Sequence, residues 1–240
     1  MIEVPRAERL IVALDVATPA EARSLAQNLG DAARFYKIGL ELFMAGGYFD
    51  LIDWLVARGS RVFVDLKFFD VPQTVARAVA NLRGRGVTFA TVHGNQAMME
   101  AAAKEKAEVK ILAVTVLTSL DRGDLDDLGF SCDVERLVLS RARRAIEAGC
   151  DGVISSGLEA GRLKAQFRDR LLVVTPGIRP VENKPDDDQK RTVDVAQAFA
   201  AGADYIVVGR PIRQAADPRA AAQAIQDTIA KIFPSSGAAA

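Results

Sequence analysis

Residues 64–75 read VDLKFFDVPQTV and complete an apolar run, RVFVDLK, at 61–67. Side chains two apart in a strand point to the same side, so Asp65 and Lys67 face one way while Val64 and Leu66 face the other. A strand covered on both faces reads as a nearly continuous apolar run, yet this one finishes in charge. Pro72 stands where a helix can begin, because its fixed φ suits the first helical turn. The stretch therefore reads as a buried strand with a charged C-terminal end, leading directly into a helix.

The same unit recurs along the chain. β-rich runs stand at 10–16, 34–40, 61–67, 87–93, 109–117, 151–156, 171–176 and 203–209. Between them lie segments of helical periodicity, such as PAEARSLAQNLG at 19–30, with proline at its start and glycine past its end, and DVERLVLSRARRAIEAG at 133–149. Eight strand–helix units in 240 residues, with no linker of low complexity, match the size of a (β/α)8 barrel. A doubly wound sheet would usually show a glycine-rich first turn, whereas the turn after Asp15 reads VATPAEA. The expectation is an α/β fold, a (β/α)8 TIM barrel forming a single domain over 1–240, with 234–240 a frayed tail.

Half the residues are hydrophobic, ample for a core, and Lys plus Arg equals Asp plus Glu at 31 each. No net field recruits nucleic acid or an anionic membrane, so neither is expected as a partner. Cys132 and Cys150 are the two cysteines, without CxxC spacing, which fits a reducing, cytoplasmic location. The first apolar run stops at Asp15, short of a signal peptide core, and no stretch reaches the length of a membrane span.

Asp15, Lys37, Asp65 with Lys67, His93, Thr118 with Ser119, Ser155 with Ser156, Arg179 and Arg210 all fall at or just past strand C-termini. In a barrel those ends form one face, where active sites are built. Strand N-termini show no comparable collection of unusual groups. His93 reads as a rim residue more than a substrate neighbour, and both cysteines as ordinary buried residues.

Lys37 on the adjacent strand completes an alternating set of Lys37, Asp65, Lys67 and Asp70. Each charge in such a set favours the ionised form of its neighbours. The bland alternative is an ion pair plugging the barrel mouth. Desolvating the set is costly, and apolar residues would often serve stability as well, so the arrangement suits a site where charge is fixed before a reaction. A Schiff-base lysine needs a lowered proton affinity; acids flank Lys67, which points instead to a proton donor.

The seventh strand runs out into TPGIRPVENKPDDDQKRTV at 175–193, too long for a mere connection and a candidate lid over 176–190. It carries Arg179 and Gln189, while the eighth strand ends in VVGRPI with Gly209 and Arg210 opening a helical turn. Loops after strands seven and eight commonly grip a phosphate in barrels. Asp186, Asp187, Lys190 and Arg191 read as a solvated face.

These pieces together resemble the orotidine 5'-phosphate decarboxylase family: LD at 14–15, KIG at 37–39, DLKFFDVPQTV at 65–75, TVH at 91–93, VLTS at 116–119, TPGIRP at 175–180, DQKR at 188–191 and VGRPI at 208–212. The resemblance implies Lys67 as proton donor, with Lys37, Asp65 and Asp70 completing the charged array. It implies that Asp15 and Lys37 hold ribose hydroxyls, and that Thr118 and Ser119 meet the pyrimidine edge. Arg179, Gln189, Arg210 and the backbone at Gly209 would bind the 5'-phosphate. It further implies a homodimer in which Asp70 and Thr74 reach into the partner's site. Departures from the family pattern stand at Gln73, at Gly94–Asn95–Gln96 after His93, and at Asp187 before Asp188–Gln189.

The implied reaction converts orotidine 5'-phosphate to uridine 5'-phosphate and carbon dioxide in pyrimidine biosynthesis. The sequence carries no sign of a pyridoxal, thiamine or metal site, so no cofactor is expected and electrostatics must stabilise the C6 carbanion. Two rivals share parts of the pattern: a metal-dependent sugar-phosphate decarboxylase or synthase of the same suprafamily, and a non-catalytic nucleotide-binding barrel.

Overall fold

The computed structural model describes residues 3–93, 95–179 and 192–234. Among them, eight parallel strands close into a barrel in chain order. They are β1 (Leu10–Ala13), β2 (Phe35–Gly39), β3 (Arg61–Phe68), β4 (Val87–His93), β5 (Lys110–Val114), β6 (Gly152–Ile154), β7 (Leu172–Thr175) and β8 (Tyr205–Val208). The expected (β/α)8 architecture is what forms. The strand ladders are shorter than several of the apolar runs; β5 stops at Val114 and β6 at Ile154, after which Thr115 donates its hydroxyl to the Ile154 carbonyl at 2.8 Å.

The helices between strands are α1 (Pro19–Leu29), α2 (Leu40–Met44), α3 (Tyr48–Ala57), α4 (Pro72–Ala80), α5 (Gln96–Glu105), α6 (Arg122–Asp127) and α7 (Val134–Glu147). They continue with α8 (Gly157–Phe167), α9 (Val195–Ala200), α10 (Arg210–Arg213) and α11 (Pro218–Ile232). Start signals in the sequence act as read. Thr18 caps α1 by accepting from the Glu21 N–H, Pro19 follows, and Gly30 ends the helix at φ 54°. Pro72 occupies the first turn of α4.

Period-two alternation divides the core into two layers. Ile11, Phe35, Phe63, Phe89, Leu172, Val174, Tyr205 and Val207 point into the barrel, while Val12, Val62, Val64 and Val92 pack beneath the helices. Inside, the Phe89 ring lies 5.1 Å from both Phe35 and Tyr205 and 5.9 Å from Phe63. This aromatic layer fills the lower barrel. On β3, the inward series that begins with Phe63 continues to Asp65 and Lys67, lifting both charges above the aromatic floor.

The N-terminal face holds more charge than the sequence reading allowed. The Asp204 carboxylate accepts from Lys164 at 2.6 Å and from the Val173 N–H at 2.7 Å. Asp151 accepts from Lys106 at 3.0 Å and from the Ile111 N–H at 2.8 Å. Aspartates just before strands are ordinary sequence features, so these pairs pass unnoticed without a structure.

Candidate active site

A cavity of about 240 Å³ opens at the C-terminal mouth of the barrel. Its floor is Ala13, Phe63, Val114, Ile154 and Val207; Asp15, Lys37, Asp65 and Lys67 line one stretch of its wall, and Arg179, Arg210 and Arg213 line another. Thr118, Ser119, Gly177 and Gly209 complete the rim.

The charges alternate within the chain. Lys37 Nζ lies 2.9 Å from Asp15 Oδ1 and 3.5 Å from Asp65 Oδ2, and Lys67 Nζ lies 2.9 Å from the same Asp65 oxygen. The Thr91 hydroxyl donates to Asp65 Oδ1 at 2.9 Å. Burial opposes the Lys37 charge, but the attraction of Asp65 and Asp15 outweighs it and raises its proton affinity. Burial likewise works against the Asp65 carboxylate, and Lys37, Lys67 and the Thr91 hydrogen bond overcome it, holding Asp65 below the ordinary carboxylate range. Lys37 and Asp65 are thus held in their charged forms before any ligand arrives.

Within one chain the fourth charge in contact with this set is Asp15. Asp70 is exposed, stays outside the cavity of its own chain, and accepts from the Val71 N–H at 2.6 Å. β3 ends at Phe68, two residues before Asp70, and α4 begins at Pro72. Thr74 is also exposed on α4 and does not line the cavity.

Lys67 has φ 48°, an uncommon conformation for a residue with a Cβ. The β3–β4 register pairs Val64 with Ala90 and Phe68 with Val92, so Asp65, Leu66 and Lys67 all lie opposite Thr91. The strand bulges where its charges emerge, a common device for re-aiming side chains beside active sites.

On the arginine side, Arg179 follows β7, and its backbone pairs with Val193 across an isolated bridge at Ile178, clasping the base of the long loop. Gly209 has φ −111° and ψ −95°, and an added Cβ would meet the Ala13 and Asp15 side chains at van der Waals distance. Gly177, at φ 75°, is the rim position where backbone conformation favours glycine. Gln189, Asp186, Asp187, Lys190, Arg191, Gly94 and the tail beyond Pro234 lie outside the described residues.

Some rim residues belong elsewhere. Ser156 caps α8 and donates to the buried Glu159 at 2.5 Å. Ser155 is buried, with no hydrogen-bond partner for its hydroxyl among the described residues, and neither serine lines the cavity. His93 stands edge-on to Phe69, ring centroids 4.8 Å apart, outside the cavity. Burial, Arg141 and Lys67 depress its proton affinity. Cys150 is buried, and burial pushes its thiol up to about 12; Cys132 is only half-buried.

Two residues escaped the sequence reading, Thr91 and Arg213. Thr91 keeps the inward parity of Phe89, a signal present in the sequence, but threonine is also an ordinary strand former. Arg213 lies one helical turn beyond Arg210; its Nε is buried without a hydrogen-bond partner among the described residues.

A barrel whose mouth holds a chain of alternating charges together with several arginines has the layout of a (β/α)8 enzyme. Residues 8–225 match the family described as orotidine 5'-phosphate decarboxylase / HUMPS family. The chain is 66% identical over 230 residues to the orotidine 5'-phosphate decarboxylase of Methylococcus capsulatus, covering 96% of this chain and 95% of that one. It is 54% identical to the enzyme of that name from Stenotrophomonas maltophilia, covering 93% of each. The crystal structure of orotidine 5'-phosphate decarboxylase from Lactobacillus acidophilus superposes with a TM-score of 0.82 at 36% identity, covering 92% of this chain and 99% of that one. The chain belongs to the orotidine 5'-phosphate decarboxylase / HUMPS family.

Proposed function

We propose that this protein decarboxylates orotidine 5'-phosphate to uridine 5'-phosphate in pyrimidine biosynthesis. The observation that carries the reading is the unbroken Asp15–Lys37–Asp65–Lys67 chain along one wall of the cavity, in a protein so close to enzymes of that name.

In the proposed reaction the bond from C6 to the carboxylate carbon breaks, and its electron pair stays on C6. Carbon dioxide leaves. The Lys67 ammonium stabilises the developing charge and transfers a proton to C6; the resulting amine regains a proton from water. Asp65 lies against the departing carboxylate and holds Lys67 in place. Preset charge of this kind needs no reorganisation when the barrier is crossed. Asp15 and Lys37 hold the ribose hydroxyls, Thr118 and Ser119 the pyrimidine edge, and Arg179, Gln189 and Arg210 with the Gly209 backbone hold the phosphate. Binding energy from the remote phosphate helps assemble the charged site.

Two chains are proposed to pair, with Asp70 and Thr74 entering the partner's cavity. Phe69 and Val71, on either side of Asp70, are 63% and 61% exposed, and Leu40 and Met44 on α2 are exposed as well. Apolar exposure of this extent beside a polar mouth suits a covered surface. A cytoplasmic setting accords with two free cysteines, and no helix among the described residues is long and apolar enough to cross a membrane.

The deciding assay follows the loss of orotidine 5'-phosphate absorbance with and without a chelator. Decarboxylation that resists the chelator is the expected result. Loss of activity on chelation points to a metal-dependent sugar-phosphate enzyme of this family, and binding without turnover to a nucleotide-binding barrel.

A further inference from the structure

We infer that Thr91 is a positioning residue for this decarboxylation, its one hydroxyl locking both the carboxylate of Asp65 and the backbone of Lys67. The inference rests on the proposed reaction and assigns Thr91 no contact with substrate.

Thr91 is fully buried on β4, opposite the bulge formed by Asp65, Leu66 and Lys67. At that bulge the strand ladder no longer supplies partners in register, and the Lys67 N–H donates instead to Thr91 Oγ1 at 2.9 Å. A backbone N–H can only donate, so the hydroxyl oxygen serves as acceptor there. An ionised carboxylate can only accept, so the hydroxyl proton must point at Asp65 Oδ1, 2.9 Å away. The orientation of the hydroxyl is therefore settled by its two neighbours.

The consequence is a carboxylate held at both oxygens. Oδ1 takes the Thr91 hydroxyl, and Oδ2 takes Lys67 Nζ and, more distantly, Lys37 Nζ. Lys67 is in turn fixed at its ammonium by Asp65 and at its backbone by Thr91, which retains the φ of 48° that aims it. An interaction that keeps reacting groups in register acts on turnover more than on binding.

The charged and titratable groups around Asp65 are Lys67 on its own strand, Lys37 from β2, Asp15 through Lys37, and the phenol of Tyr48 from α3. The Thr91 hydrogen bond is one of the influences that depress the Asp65 proton affinity, alongside burial acting the other way and the two lysines. A depressed carboxylate keeps its charge until pH falls through its lowered value. Removing the hydroxyl raises that value, so the acid limb of kcat moves to higher pH.

The test compares Thr91→Val, Thr91→Ala and Thr91→Ser in the purified full chain. For valine and alanine, kcat falls about tenfold or more, the loss expected of a hydrogen bond to a charged group, with KM changed by less than about threefold. Serine, which restores the hydroxyl, keeps most of kcat and the original acid limb. The 13Cγ signal of Asp65, assigned with Asp65→Asn, titrates at higher pH in the valine or alanine protein, whether or not orotidine 5'-phosphate proves to be the substrate. Should valine not fold, alanine and serine carry the same comparison. Wild-type kcat in the folded protein lacking the hydroxyl, or an unmoved Asp65 titration, overturns the inference. A wild-type protein that fails to decarboxylate, with the Asp65 titration still shifted, overturns the functional reading alone.

Discussion

The two mouths of the barrel both bury charge, and they use it in opposite ways. At the N-terminal mouth, Asp204 and Asp151 each take one lysine and one strand N–H, so each carboxylate ties a helix end to the start of a neighbouring strand. At the C-terminal mouth, Asp15, Lys37, Asp65 and Lys67 are held by one another and by a bulged strand, and all four line the cavity. Buried charge alone therefore does not mark a site. A run of alternating charges bordering open volume does, because the structure would otherwise have closed over it at less cost in desolvation.

The sharpest way to break this contrast is to remove one charge from each mouth. Lys67→Ala should reduce kcat by on the order of a thousandfold or more, since it removes the proposed proton donor and a charge placed beside the reacting carbon in that proposal. Its melting temperature should hardly move, because Asp65 keeps Lys37 and the Thr91 hydroxyl. Turnover at the wild-type rate, measured by loss of substrate absorbance, would end the proposed role.

Asp70 asks whether the C-terminal mouth is complete within one chain. Lys67→Ala and Asp70→Ala proteins, each nearly inactive alone, should recover about a quarter of wild-type activity when mixed, since half the dimers are hybrids with one intact site of two. Hybrid dimers demonstrated by mass, yet inactive, would show that Asp70 acts within its own chain or not at all.

At the other mouth, Asp204→Ala leaves Lys164 and the Val173 N–H without their carboxylate. The expected cost is about 3 kcal/mol of stability, at the low end for breaking a buried pair, read by urea unfolding. The folded fraction should keep its kcat. A loss of kcat without a loss of stability would collapse the distinction between the two mouths.

How far the sequence reveals this division depends on what each residue type can otherwise be. The eight strands were legible because apolar runs of that length, spaced by helical periodicity, have few other uses. Their ends were less so: the run at 109–117 outlasts β5 because the chain beyond Val114 stays buried as it forms the cavity wall. Asp15, Lys37, Asp65 and Lys67 were legible because charges closing apolar strands are out of place, and alternation fixed which side Asp65 and Lys67 face. Asp70 lies outside the cavity of its own chain, and spacing along a motif alone says nothing about where a strand stops. Thr91 and Asp204 were passed over for one shared reason. Each is ordinary at its position, and only register or a partner distant in sequence reveals what it holds.

The smallest effect concerns the arginine wall, and it sharpens the contrast within the C-terminal mouth itself. Arg213 shares the cavity wall with Arg210, and its buried Nε has no hydrogen-bond partner among the described residues. A guanidinium placed this way is suited to a phosphate oxygen. Arg213→Ala should raise KM for orotidine 5'-phosphate by about tenfold, on the order of 1.4 kcal/mol of binding, with kcat little changed. The discriminating control is orotidine, which lacks the phosphate: wild type and variant should process it equally slowly. A penalty that persists with orotidine would mean that Arg213 supports the charged array, and the two groups would then have to be treated as one unit.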